Sequence, residues 1–300
     1  MHIHIIQLVC FALMANAHTY LTNLTINGTL LDEGKCIRPP WENENFPVKD
    51  VTSKDLLCRT KSMTVASADI CGIQAGSNIT VDLHESGPGS RALSESHRGP
   101  CIVYMAPLDS NGDGPVWFKI YEDGWDKAAD TWCVNTLIAN KGKLEVTIPR
   151  DIAPGNYLLR TEVIALHEAN RVYGADESAG AELFPNCAQL AVYGTGTVHP
   201  SGVNIPGIYD KTQPGLHYDL WGDSTTYEIP GPTLYVPGKG APIVLAADIQ
   251  SLDLSIGEDS ELILDTHPSP TSDDVTQLSP SSKSNHCVGK KRRRRARIEM

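Results

Sequence analysis

Cys101-Ile102-Val103-Tyr104-Met105-Ala106 follows the polar turn Ser96-His97-Arg98-Gly99-Pro100, and its apolar, β-branched character reads as a buried strand. Val116-Trp117-Phe118-Lys119-Ile120-Tyr121 and the largely apolar residues 157–166 read the same way. Two other stretches alternate. Ile79, Val81 and Leu83 interleave with Asn78, Thr80 and Asp82, and Leu144, Val146 and Ile148 with Glu145 and Thr147. That is the period of a strand with one wet face. Turn clusters at 86–90, 109–115 and 153–155 separate the runs. Short strands at this spacing, with no long helical pattern, predict an all-β chain built as a β-sandwich.

Composition agrees with that architecture. The 300 residues are 41% hydrophobic and 20% charged, enough to bury a substantial core, and 25 Gly with 20 Pro imply many turns. Charge is unevenly distributed. Residues 288–300 carry seven Lys/Arg and one Glu, so they hold +6 of a total of −11, and the preceding 287 residues hold −17. A body that acidic repels phosphate, which argues against nucleic acid as its partner. No apolar run is long enough to span a bilayer.

At the N-terminus, the apolar stretch from Ile3 to Met14 precedes Ala15-Asn16-Ala17, the pattern of a secretory leader over residues 1–17 with an A-x-A cleavage site. Polar, turn-forming residues are expected directly after Ala17. The sequons at Asn23, Asn27 and Asn78 are compatible with a secreted glycoprotein, although such triplets are common by chance. Removing the leader leaves seven cysteines in an oxidising compartment, and Cys287 is the expected odd one. From about Gly238 the pattern changes: residues 251–285 contain nine Ser and little periodicity, and then the run Lys290-Lys291-Arg292-Arg293-Arg294-Arg295 begins. Residues 239–300 therefore read as a disordered, Ser-rich tail with a basic end.

Three histidines attract attention. Cleavage after Ala17 leaves His18 as the first residue, whose α-amine and ring form a ready chelate; nitrogen donors in a plane suit Cu(II). His97 lies in the turn before the 101–106 strand, where a side chain can be held rigidly yet face solvent, and His167 ends the 157–166 strand. Alone, each of the last two reads better as an ordinary loop or satisfied histidine than as a ligand. Asp109-Ser110-Asn111-Gly112-Asp113-Gly114 begins like a calcium loop, but Ile120 stands where the bidentate Glu belongs, so it reads as a turn.

Ordered blocks along residues 18–238 resemble the fungal, copper-dependent lytic polysaccharide monooxygenases of auxiliary-activity family nine, the cellulose-active family formerly filed among glycoside hydrolases. The blocks are Pro47-Val48-Lys49-Asp50-Val51-Thr52-Ser53-Lys54-Asp55-Leu56-Leu57-Cys58, His97-Arg98-Gly99-Pro100, Trp117-Phe118-Lys119-Ile120, Ile152-Ala153-Pro154-Gly155-Asn156-Tyr157-Leu158-Leu159-Arg160, Glu162-Val163-Ile164-Ala165-Leu166-His167 and Tyr227-Glu228-Ile229-Pro230-Gly231-Pro232.

The resemblance implies an immunoglobulin/fibronectin-like β-sandwich with long loops, secreted and monomeric. It implies one copper per chain, held by His18 and His97, with His167 beside the metal. It further implies a Cys58–Cys187 disulfide and an exposed Trp221 that stacks on a glucan chain. The expected partners are an insoluble polysaccharide such as cellulose, an external electron donor and O2 or H2O2, with oxidation at C1 and/or C4. One block departs from the family pattern. Ala181-Glu182-Leu183-Phe184-Pro185-Asn186-Cys187 carries Glu182 for a customary Gln and Phe184 for a customary Tyr. Two alternatives stay open on that account: a copper- or carbohydrate-binding protein with impaired catalysis, and an oxidase of another wall polysaccharide.

Overall fold

The computed structural model describes residues 19–40, 45–60, 69–176 and 178–239. The leader, His18, Cys287 and the tail from 240 onward lie outside the described residues.

In chain order the strands are β1 (Tyr20–Ile26), β2 (Thr29–Leu30), β3 (Cys71–Gln74), β4 (Asn78–His84), β5 (Cys101–Pro107), β6 (Phe118–Asp123), β7 (Trp125–Asp126) and β8 (Thr131–Trp132). A short helix α1 (Cys133–Ala139) follows, then β9 (Lys143–Thr147), β10 (Gly155–Ala165) and β11 (Glu182–Tyr193). One sheet runs β2-β1-β4-β9, a second runs β3-β11-β10-β5-β6, and β7 pairs with β8. All pairs are antiparallel except β11 with β3.

The two large sheets differ in pattern because they differ in what covers them. In the four-stranded sheet β9 is buried at every second residue, so Leu144 and Val146 point inward and Lys143, Glu145 and Thr147 meet water. In the five-stranded sheet β5 is buried over Cys101 to Ala106 and β10 from Tyr157 onward. Cys101, Val103, Met105, Leu159, Val163 and Phe184 face the sandwich core with Leu24, Ile79 and Val81. The opposite face carries Ile102, Tyr104, Ala106, Leu158 and Ile164, covered by loop residues Val51, Leu56, Leu57, Tyr209 and Leu216. Long loops take the place of a third layer, which explains the continuous apolar runs.

That covered face also carries a buried polar network. Arg160 donates to the carbonyls of Leu56 and Leu57 (2.8 Å each) and pairs with Glu162 at 2.5 Å. The Tyr209 hydroxyl donates to Glu162 Oε2 (2.6 Å) and lies 2.7 Å from the Tyr104 hydroxyl. Through Nε and Nη2, this buried ion pair fixes the loops to the sheet. Three disulfides add to this: Cys36–Cys71, Cys101–Cys133 and Cys58–Cys187, the last closing 129 residues.

One local expectation needs correction. The turn expected after Ala17 gives way to β1, in which Leu21, Leu24 and Ile26 are buried. Two of its polar side chains donate to neighbouring backbone: Thr22 Oγ1 to the Asp82 carbonyl and Asn23 Nδ2 to the Leu31 carbonyl, both at 3.1 Å, at a register shift between Leu21 and Asn23. The one α-helix among the described residues, α1, spans seven residues, too few for helical periodicity to show and consistent with the absence of any long helical pattern. Residues 109–114 form a turn, with Trp117 Nε1 donating to the Gly112 carbonyl (3.0 Å).

Candidate metal centre

The pairing of β5 with β10 sets Cys101 opposite Val163. The chain continues that ladder past the end of β5: the Ile164 amide donates to the Pro100 carbonyl and the Leu166 amide to the Arg98 carbonyl. One step further, the same register puts His97 opposite His167. Their rings stack with centroids 4.1 Å apart. Gly99 permits the close approach, because a Cβ there would lie 1.8 Å from the Ile164 carbonyl oxygen. The turn does not present His97 to solvent as the sequence suggested; the residue is 4% exposed. Packing against β10 overrides the polar character of its neighbours.

Strand β11 supplies the third member. Its register sets Glu182 opposite Ala165 and Phe184 opposite Val163. Glu182 Oε2 lies 3.5 Å from His97 Nε2 and 3.8 Å from His167 Nε2. Its other oxygen is 3.2 Å from Lys49 Nζ. Lys49 is brought there by a two-way backbone bridge between Val48 and Leu183. Burial alone would raise the Glu182 pKa, but His97, His167 and Lys49 outweigh it and pull it down to about 2. Burial and the neighbouring His97 lower the His167 pKa, so its ring is neutral near pH 7 and Lys49 is the cation facing Glu182 there. Glu182 is therefore an ionised, acceptor-only group at neutral pH.

Phe184 is fully buried, its ring 6.2 Å from that of His97. The Arg59 guanidinium sits 5.8 Å from the Phe184 ring centroid and donates to the Thr19 carbonyl (2.8 Å) and to Asn186 Oδ1 (3.0 Å). Asn186 Oδ1 also accepts from the Leu21 amide (3.2 Å). The residue that follows His18 is thus clamped beside the His97–Phe184 pair. Lys49, Arg59 and Asn186 received no role from sequence reasoning, though Lys49 and Asn186 lie inside the quoted blocks and Arg59 directly follows one. Their roles depend on contacts across 40 residues (Arg59 to Thr19) up to 127 and more (Arg59 to Asn186, Lys49 to Glu182), which spacing does not reveal.

Trp221 is 62% exposed. Its indole Nε1 donates to the His167 carbonyl (3.1 Å), tying the loop that carries it to the histidine cluster. The Tyr218 amide donates to the Ala169 carbonyl (2.9 Å), docking the same loop a second time. Cys58 and Cys187 are joined on the covered face of the sheet, one residue from Arg59 and Asn186 respectively.

The donor set suits a bound metal. His97 Nδ1 lies 3.1 Å from Ser96 Oγ; with Nδ1–H donating there, Nε2 offers its lone pair to a cation. His97, His167 and Glu182 each offer one ligand atom, all within 4.8 Å of one another. Imidazole nitrogens with an adjacent carboxylate fit a divalent transition metal such as copper. Among the described residues, no helix is long and apolar enough to cross a membrane.

The sequence profile of Auxiliary Activity family 9 (formerly GH61) matches residues 18–227. An AA9 family lytic polysaccharide monooxygenase A from Aspergillus kawachii is 39% identical over 239 residues, covering 77% of this chain and 56% of the relative. The chain thus spans about half the length of that curated relative. The solved structure "CvAA9A" superposes with a TM-score of 0.69 at 32% identity, over 73% of this chain and 98% of its own. A structure described as a cellulose-active polysaccharide monooxygenase from M. thermophila gives a TM-score of 0.59 at 25% identity, over 73% of this chain and 99% of its own. By profile, by relatives and by a shared β-sandwich, the chain belongs to Auxiliary Activity family 9.

Proposed function

We propose that this chain is a secreted, copper-dependent lytic polysaccharide monooxygenase that cleaves β-1,4-glucan, cellulose above all, by oxidation at C1 and/or C4. Residues 1–17 are the leader, 18–238 the catalytic domain and 239–300 a Ser-rich tail. One observation carries most of the reading: the β5–β10 register brings His97 to His167 while Arg59 holds Thr19 in the same cluster. The family profile begins at residue 18, which supports His18 as the mature N-terminus, and the cellulose-active relative supports the substrate class.

The amine and ring of His18 and the Nε2 of His97 would hold one copper ion per chain. When bound, copper supplies the one-electron chemistry by which O2 or H2O2, with an external electron donor, removes hydrogen from a sugar carbon. His97 binds with its ring oriented by Ser96. His167, neutral near pH 7, hydrogen-bonds the oxygen substrate beside it. Glu182 adds a negative charge balanced by Lys49. Phe184 presents hydrocarbon where family members carry an oxygen. Trp221, exposed and anchored to His167, stacks on a glucan chain. The polymer is insoluble, and the protein works as a monomer.

The Glu182 and Phe184 departures favour a second reading, a copper- or carbohydrate-binding protein with impaired catalysis. Copper titration followed by product analysis separates the two. Aldonic or C4-keto oligosaccharides from cellulose with reductant support the enzyme. Copper binding without oxidised sugar supports the second reading, and products only from xylan, xyloglucan or chitin overturn the polymer assignment.

A further inference from the structure

We propose that His97, His167 and Glu182 form a divalent-cation site of their own, a two-histidine, one-carboxylate set that takes Zn(II) or Co(II) without any ligand from His18. The site goes beyond the copper reading, because it stands whether or not the His18 amine binds copper.

The geometry points to it in three ways. Both Nε2 atoms face the same carboxylate oxygen, at 3.5 and 3.8 Å, and one donor atom from each residue lies within 4.8 Å of the others. Two donors each about 2.1 Å from one zinc ion stand about 3.4 Å apart at the tetrahedral angle, so the carboxylate oxygen is already within a few tenths of an ångström of that spacing from each Nε2, while the two stacked rings must rotate about χ2 to converge on one ion. The supporting groups are also in place. Ser96 Oγ is positioned to accept from His97 Nδ1–H, which leaves Nε2 free to ligate. Lys49 engages Glu182 Oε1 and leaves Oε2 turned toward the histidines.

The chemistry follows from one residue. A glutamine amide in place of Glu182 is a neutral and weak metal ligand, whereas an ionised carboxylate adds charge and a strong donor. Two imidazoles and a carboxylate with open positions are a familiar set for zinc and for other divalent first-row metals. His97 belongs to both sites, so a zinc ion held here competes with copper for that ring.

The test uses the full chain with one glycine inserted between Ala17 and His18, so that the processed protein starts at that glycine. The His18 nitrogen is then a peptide amide, so the chelate of its own free amine with its own ring is lost. After chelator treatment, titration with Co(II), followed by its visible d–d bands, and with Zn(II), followed by calorimetry, should each show one equivalent bound. Glu182→Gln should weaken Zn(II) by at least tenfold, since loss of even an outer partner costs about 10–100-fold. His199→Ala, at an exposed histidine away from the cluster, should change nothing; equal melting temperatures establish that the variants fold. No binding to the extended protein, or equal binding by Glu182→Gln, overturns the proposal. Copper binding to the unextended protein, measured alongside, reports on the His18 reading separately, so failure of either is visible without the other.

Discussion

The depressed pKa of Glu182 makes stability at acid pH a direct test of the cluster. A carboxyl group whose folded pKa is about 2, against 4.5 for the free side chain, stabilises the fold above the unfolded value. That stabilisation is lost as pH falls through 4.5 toward 2. A tenfold change in proton affinity corresponds to about 1.4 kcal/mol, so linkage gives at most about 3 kcal/mol at pH 5 and about 1.5 kcal/mol at pH 3. The side chain is 12% exposed, so solvent screening takes only a modest share of this. The perturbation is Glu182→Gln, which keeps shape and removes charge. Metal-free wild type and variant are melted by circular dichroism at pH 5, 4 and 3. The difference in melting temperature should narrow by about 4–7 °C between pH 5 and pH 3. The comparison between the two proteins cancels the titration of every other carboxylate to first order. A difference that stays constant or widens as pH falls would refute the ion-pair account of Glu182.

Gly99→Ala places a Cβ 1.8 Å from the Ile164 carbonyl oxygen, so the turn must move; we expect a loss of about 1–3 kcal/mol in denaturant unfolding together with weaker copper binding. Replacing both Cys58 and Cys187 by Ser frees a 129-residue closure worth about 5 kcal/mol in chain entropy, and calorimetry should show a fall of roughly ten degrees or more, with an unchanged melting temperature counting against a structural role. Trp221→Ala should leave copper affinity intact and weaken adsorption to insoluble cellulose by about 1 kcal/mol, roughly fivefold, as read from binding isotherms.

Much of the architecture is legible in the amino-acid order, because local chemistry repeats along the chain. The alternation in β9 reports one wet face, whereas β4 keeps a wet face only at Asn78 and Thr80 because Asp82 and His84 are buried, and the continuous runs in β5 and β10 report burial on both. The resemblance singles out His97, His167, Glu182, Phe184 and Trp221 from residue order alone. What a one-dimensional pattern cannot carry is register between distant strands. The continued β5–β10 ladder turns a loop histidine into a buried partner of His167, and the Val48–Leu183 bridge makes Lys49 the counter-ion of Glu182. Arg59 reaches Thr19 and Asn186 across the same fold. Side-chain burial and charge pairing arise from those long-range contacts, and so the protonation of the cluster and the exposure of Trp221 belong to the folded chain rather than to its order of residues.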